Sequence, residues 1–463
     1  CVAIGSSAFG GAATQDGTVA IGYQSLDALT SGIGNVAVGY QSGAVITTGQ
    51  SNTAMGYQAL NQHVDGHRNM AIGYQAMYQN GGSNAANSNH NIAIGYQALG
   101  GDWANATSEH NLALGNGAMA GVLNGANYNI GIGTDALTAL TSATNNIAIG
   151  YQAGQGIVNG VSNIAIGYTA GQAITSGNYN TYMGDAAGYG NLVGSDNTAI
   201  GYNAMANYIA AGSDQGANTC IGQNSGKFVS TGQFNTFIGA LSGTGITGTR
   251  LTGNYNTAVG QTAGNELEGA AHSNTFLGAG AGGTTEAGVE NTCIGFVCRT
   301  YDDTADNQIV IGNNLTATDV NDAIFIGNDG RHIRCDYGSD QTWDAGSDER
   351  IKTVTGYSPL GLDFINDFPI ITYNWKAPSE YPEEFEDYNA DETEPSDTLQ
   401  HHGVTAQSVK AALDKIDGVT DFSGWDENTD GMQTIGESAF VWPLIKAVQE
   451  LSAKVEELEA KLK

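Results

Sequence analysis

The chain has 463 residues, of which 67 are glycine and only 6 proline, with 13% charged residues and a formal charge of −31. This composition does not suit an ordinary enzyme domain, and phosphate binding needs clustered Lys and Arg, so the charge argues against nucleic acid as a partner. It fits instead a solvated acidic surface that stays soluble at high local concentration. Without a Gly-x-x period, the glycine belongs to tight turns between short strands.

A repeat governs roughly the first 330 residues. It reads Asn91-Ile-Ala-Ile-Gly-Tyr-Gln-Ala98 and Asn146-Ile-Ala-Ile-Gly-Tyr-Gln-Ala153, and with small changes Asn197-Thr-Ala-Ile-Gly-Tyr-Asn-Ala204. The motif glycine falls at Gly5, Gly22, Gly39, Gly56 and Gly73, steps of 17 residues, and continues less evenly to Gly312 and Gly327. A fixed short period means one small unit stacked on itself, each copy burying its apolar face only against its neighbours. Apolar residues alternate within the motif as a half-buried strand requires, Ile92 and Ile94 pointing one way, Asn91, Ala93 and Gly95 the other. A second apolar stretch, Ala170 to Ile174, and a Ser176-Gly-Asn178 turn predict two short strands and two turns per coil. The result is a mainly β fold, a parallel β-roll or β-helix, whose nineteen coils would span about 90 Å at about 4.8 Å per coil.

The recurrent Asn is expected to stack on its copies and satisfy turn backbone. The tyrosines at 23, 40, 57, 74, 96, 151, 168 and 202 read as a stacked structural file rather than a sugar-binding strip. Gln79 to His90 and Asn207 to Gly216 read as inserted loops. From Asn180 onward Tyr182, Phe237 and Phe276 replace the central Ala, so the surroundings of that face must widen or change partner.

The five cysteines are odd in number and uneven in spacing, and Cys220 and Cys293 occupy Ala positions of the repeat. They read as small buried residues, which favours folding in a reducing cytoplasm. No apolar run is long enough to span a membrane and no signal peptide is visible. The chain opens inside a repeat, at Cys1-Val-Ala-Ile-Gly5, so a longer polypeptide is expected upstream.

Residues 1–328 thus form the repetitive fibre region and 329–346 a junction, with a turn signal at Asp329-Gly330. Residues 347–463 change character. A helix is predicted over 358–367, a strand over 370–375, an acidic loop over 379–397 and a helix over 406–414. A coiled coil over 440–463 carries Leu444, Val448, Leu451, Val455, Leu458 and Leu462 at alternating steps of four and three. The acidic loop lacks an EF-hand spacing, and no P-loop, dinucleotide fingerprint or zinc spacing occurs, so no cofactor or metal is expected.

Ser347-Asp-Glu-Arg-Ile-Lys352 is the one segment with a chemical reading; its bland alternative is a helix N-cap at Ser347. Four ordered landmarks decide between them: Ser347-Asp-x-Arg-x-Lys352, Phe368-Pro-Ile-Ile-Thr-Tyr-Asn-Trp375, His402-Gly-Val-Thr-Ala-Gln407, and a terminal helix opening Trp442-Pro-Leu-Ile-Lys. Together they resemble the intramolecular chaperone domain, peptidase family S74, at the C-termini of phage tail fibres and tailspikes. The repeats separately resemble the β-roll heads of trimeric adhesins. Ser408 departs from the chaperone family, in which a Glu usually stands there.

The resemblance implies a homotrimeric virion fibre or spike, assembled in the host cytoplasm and attached to other tail proteins through upstream sequence. Its receptor would be a host-surface glycan or protein, with no nucleic acid partner and no membrane insertion. It implies self-cleavage at Gly346–Ser347, with Ser347 as nucleophile and Lys352 as base. Asp348 and Arg350 would set geometry. His401 and His402 could stabilise an oxyanion or be merely structural. On a continuous helix, residues five apart lie about 140° apart at roughly 100° per residue, so the dyad needs a bend or a Lys from a neighbouring chain. Two alternatives are a bacterial trimeric adhesin, which would need a membrane anchor, and an ice-binding solenoid using a Thr file. The latter leaves residues 347–463 unexplained.

Overall fold

The computed structural model describes residues 1–463 except 12–15, 79–86, 105, 211, 213–214, 319–320, 329–330, 338–352, 386, 396–397, 418, 420–421, 430 and 463. The chain divides into two compact units, Cys1–Gly346 and Ser347–Lys463.

The first unit is a parallel β-solenoid. Strands of three residues run from β1 (Val2–Ile4) to β17 (Thr292–Ile294), followed by the six-residue β18 (Gln308–Asn313) and β19 (Ala323–Asn328). Each strand pairs in register with the next in sequence: β9 (Ile147–Ile149) meets β10 (Ile164–Ile166) with Ala148 against Ala165. The last strand, β20 (Arg331–Asp336), turns back antiparallel on β19, on either side of the turn signal whose two residues lie outside the described ones. Alternation decides which side is core: from β2 onward the central Ala of the motif, such as Ala93 or Ala148, is buried, while its two strand neighbours face outward. The small residue lies inside because the coil is thin; the branched residues outside favour the extended backbone.

The expectation of two strands per coil is corrected. Among the described residues each coil up to β17 carries one strand, and the stretch Ala170–Ile174 is a run of turns. These turns stack through backbone hydrogen bonds of their own, such as Gly154 N–H to Ala170 O at 2.9 Å and Gly156 N–H to Gln172 O at 2.8 Å. Their residues do not alternate as a strand's would, since Thr169, Ala170 and Gly171 are buried in succession, and Gln152 (φ +53°) and Thr169 (φ +51°) are left-handed, which a strand forbids.

The Asn file holds the coils together as the repeat suggested. Asn163 donates its backbone N–H to Asn146 Oδ1 at 2.9 Å and its amide to the same oxygen at 3.0 Å and to Gly177 O at 2.7 Å. The pattern recurs from Asn52 to Asn291, all buried. Each Asn therefore satisfies otherwise orphaned turn groups, worth about 1 kcal/mol per bond net and more if one partner is left unpaired. The tyrosines form the expected outer file, Tyr23, Tyr40, Tyr57, Tyr74 and Tyr96 stacking at 5.1–5.2 Å between centroids. Beside it Gln41, Gln58, Gln75 and Gln97 each donate an amide to the Gln of the preceding coil.

The interior rings are accommodated by a trade within the coil. Where the central residue is Ala, the residue six on is often large and buried, as at Leu26, Leu60, Met77 and Leu99. Where it is Tyr182, Phe237 or Phe276, the residue six on is Gly188, Gly243 or Gly282. A Cβ at those glycines would lie 2.3–2.5 Å from the ring. Tyr182 Oη donates to Asn180 Oδ1 at 3.1 Å and accepts from Asn191 Nδ2 at 2.8 Å, so its hydroxyl is satisfied. Volume per coil is conserved, as close packing demands.

His63 is an exception to this satisfied interior. It is buried edge-on to Trp103, 5.0 Å between centroids, and neither ring nitrogen has a hydrogen-bond partner among the described residues. Burial holds its pKa down at about 4, against an ordinary 6.5. The unfolded chain therefore binds this proton between those values and the folded chain does not. Stability is full above the unfolded value and falls as pH drops toward the folded one, by about 3 kcal/mol. His63→Phe is expected to flatten that part of a denaturation-midpoint profile against pH. An unchanged slope would show that other groups cause it.

Candidate functional site

In the second unit the described residues begin at Thr353 and run exposed to Tyr357, with Val354 82% exposed. The chain then turns inward at Leu360 into α1 (Leu362–Asn366). Phe364 of α1 is buried among Phe368, Phe422 and Phe440, rings meeting at 5.2–6.3 Å. This aromatic cluster, with Val409 and Leu413, is the unit's core. Strand β21 (Ile371–Tyr373) pairs antiparallel with β22 (His401–Gly403), and β23 (Trp425–Glu427) with β24 (Gln433–Ile435).

Helix α2 (Ala406–Leu413) is capped by Thr405, whose side chain accepts the Ser408 N–H at 3.2 Å. Ser408 stands three residues past the cap, where a Glu would complete a capping box. It donates its hydroxyl to Thr405 O at 2.8 Å instead, which keeps the first turn closed with a shorter side chain.

Helix α3 (Val441–Leu462) is long, and its apolar stripe is left uncovered by the described residues. Leu444, Val448, Leu451, Val455, Leu458 and Leu462 are all exposed. Glu450 ties it to α1, accepting the Leu362 N–H at 2.8 Å and pairing with Lys446 at 3.0 Å. The Leu362 amide, then Lys446, hold its carboxyl below the usual carboxylate range. Sequence reasoning missed Glu450, since its partner is 88 residues away and no local pattern marks it.

Gly346, Ser347, Asp348, Arg350 and Lys352 all lie outside the described residues. His401 and His402 are described, on β22. His401 stacks on Tyr373 at 5.4 Å and meets Trp375 edge-on at 6.3 Å, a packing role, while His402 is exposed. Among the described residues no group of three or more His, Cys, Asp or Glu could hold a metal ion, and no helix is long and apolar enough to cross a membrane.

The second unit begins at Ser347, the first residue of the chemical motif. Residues 347–417 match the family chaperone of endosialidase, peptidase S74. The second unit is thus similar to the chaperone units of this family. The match begins at the boundary between the two compact units and takes in three of the four sequence landmarks, stopping short of α3. A β-solenoid followed by an endosialidase-chaperone unit is consistent with a phage tail fibre or tailspike. No curated protein and no solved structure shows significant similarity to the chain.

Proposed function

We propose that the chain is a virion tail fibre or spike that attaches to a host surface. In this reading the endosialidase-chaperone unit brings three chains together, directs their folding and then severs itself at Gly346–Ser347. One observation carries the assembly. The third residue of each three-residue solenoid strand, from Ile4 through Met55, Leu114, Ile149, Met183 and Leu277 to Ile294, and its register partners Ile311 and Ile326 on the two longer strands, is Ile, Val, Leu or Met and faces outward. Several of these are more than a third exposed. An unbroken aliphatic file along nineteen strands is a contiguous apolar stripe of the kind that marks an interaction surface. Further copies of the same file cover it, as they cover the stripe on α3. The Thr file (Thr198, Thr219, Thr236, Thr257, Thr275, Thr292) lies on the same face, so packing copies there leaves no open Thr surface for an ice-binding reading. The receptor is a surface glycan or protein, and upstream sequence joins the fibre to other tail proteins.

For the cut, Ser347 Oγ attacks the Gly346 carbonyl carbon and the peptide nitrogen leaves as the amine of residue 347. The resulting ester is hydrolysed by water, which releases the Gly346 carboxylate and restores the serine hydroxyl. Lys352 takes the hydroxyl proton, which requires its ammonium to be desolvated so that the neutral amine is populated.

Ser347→Ala, Lys352→Ala and Lys352→Arg are each expected to abolish cleavage, the last because guanidinium stays protonated. Asp348→Ala slows it less. All four are expected to keep the trimer. Denaturing gels decide: a merely structural Ser347 predicts the same chain length for wild type and every variant.

A further inference from the structure

The coil of β17 carries an arrangement found in no other described coil. The strand centre and the residue five on are alanines in most coils, as at Ala93 and Ala98 or Ala258 and Ala263, and both point into the core. In the β17 coil both are cysteines, Cys293 and Cys298, and both are fully buried. The two positions are neighbours in the coil's geometry. At Gly131, the strand centre of an earlier coil, a Cβ would stand 3.5 Å from the carbonyl oxygen of Ala136, five residues on. With cysteine at both, the two thiols influence each other's ionisation, and Cys298 Sγ lies 3.5 Å from Gly295 O. Cys220 differs: it occupies a strand centre with Ser225 five residues on, so it has no thiol partner in its coil.

We infer that Cys293 and Cys298 are a redox site, closing to an intracoil disulfide that staples the last three-residue strand to the turn that follows it. The chemistry needs a small-molecule disulfide as oxidant. When local opening of the coil exposes the buried pair, the Cys298 thiolate attacks one of the oxidant's sulfurs and expels one small thiol, giving a mixed disulfide. The Cys293 thiolate then attacks Cys298 Sγ and expels the second small thiol. Two protein thiols and one small disulfide become one protein disulfide and two small thiols, the protein losing two hydrogens. The neighbouring Cys293 thiol favours the thiolate at Cys298, which suits it as the first attacker. The staple sits where three-residue strands give way to the longer β18 and β19, and would matter once a fibre leaves the reducing cytoplasm.

The test exposes the full-length protein to oxidised glutathione, quenches with acid, and counts thiols after denaturation and alkylation. The five thiols per chain are expected to fall by two, and peptide mapping to place the bond between residues 293 and 298. The double variant Cys293→Ala/Cys298→Ala, which restores the alanine pair of other coils, is expected to fold and to lose no thiols inside the solenoid. Cys293→Ala alone is expected to stop at the mixed disulfide or to remain reduced. Unchanged thiols at both positions after oxidation overturn the inference, as does a bond linking either one to Cys1, Cys220, Cys335 or another chain.

Discussion

Deleting residues 347–463 is expected to leave residues 1–346 as aggregate instead of a soluble trimer. The reason lies in the register of the solenoid. Sliding the pairing by one whole coil sets Ala on Ala, Asn on Asn and Ile on Ile again, as β9 on β10 already does. The outward aliphatic file carries no marker of position either. Little energy separates the right register from its neighbours, within one chain or between three, and parallel sheet forms slowly while its edges stay exposed. A non-repeating unit that associates first removes the ambiguity. Sedimentation of the full-length and deleted chains tests this. A full-length compact monomer would remove the trimer, and a soluble trimer from the deleted chain would remove the chaperone role.

Gly150→Ala is expected to cost the solenoid heavily. Gly150 has φ +138°, which L residues rarely adopt, and an added Cβ would stand 2.3 Å from the carbonyl oxygen of Gly167 in the next coil. That oxygen belongs to backbone, so relief requires the two coils to separate. Backbone strain in this region costs about 1–3 kcal/mol before the clash is counted. Since a stacked array is held by nearest-neighbour interfaces, a lesson confined to one coil opens a seam there. Limited proteolysis is expected to cut near residues 150–167 and the unfolding midpoint to fall. Gly248→Ala is the control: nothing lies within 4 Å of its added Cβ, so about 0.5 kcal/mol or less is expected. Equal midpoints for the two variants would refute the close-approach argument.

Much of the solenoid was legible because its rules are local. The Asn, the strand alternation and the motif glycine each recur at a fixed step, and each recurrence reports one stacking contact. The turns after the strand were misread because they too carry buried apolar residues, such as Ala170 and Ile174; left-handed angles at positions such as Gln152 and Thr169 separate the cases. The exchange of ring for glycine at Tyr182 and Gly188, Phe237 and Gly243, Phe276 and Gly282 left a signal six residues away that was there to be found. In the second unit the landmarks were legible as words, while the Glu450 contact with Leu362 was not, since it depends on tertiary packing. The chemistry proposed for Ser347 and Lys352 rests on the motif and on the match of residues 347–417 to the chaperone family.

The most direct test of the account is the intact mass of the wild-type chain after native expression and denaturation. The account predicts two products whose masses correspond to residues 1–346 and 347–463, with the second beginning at Ser347. A single species at the full 47.7 kDa, with no product beginning at Ser347, would contradict it.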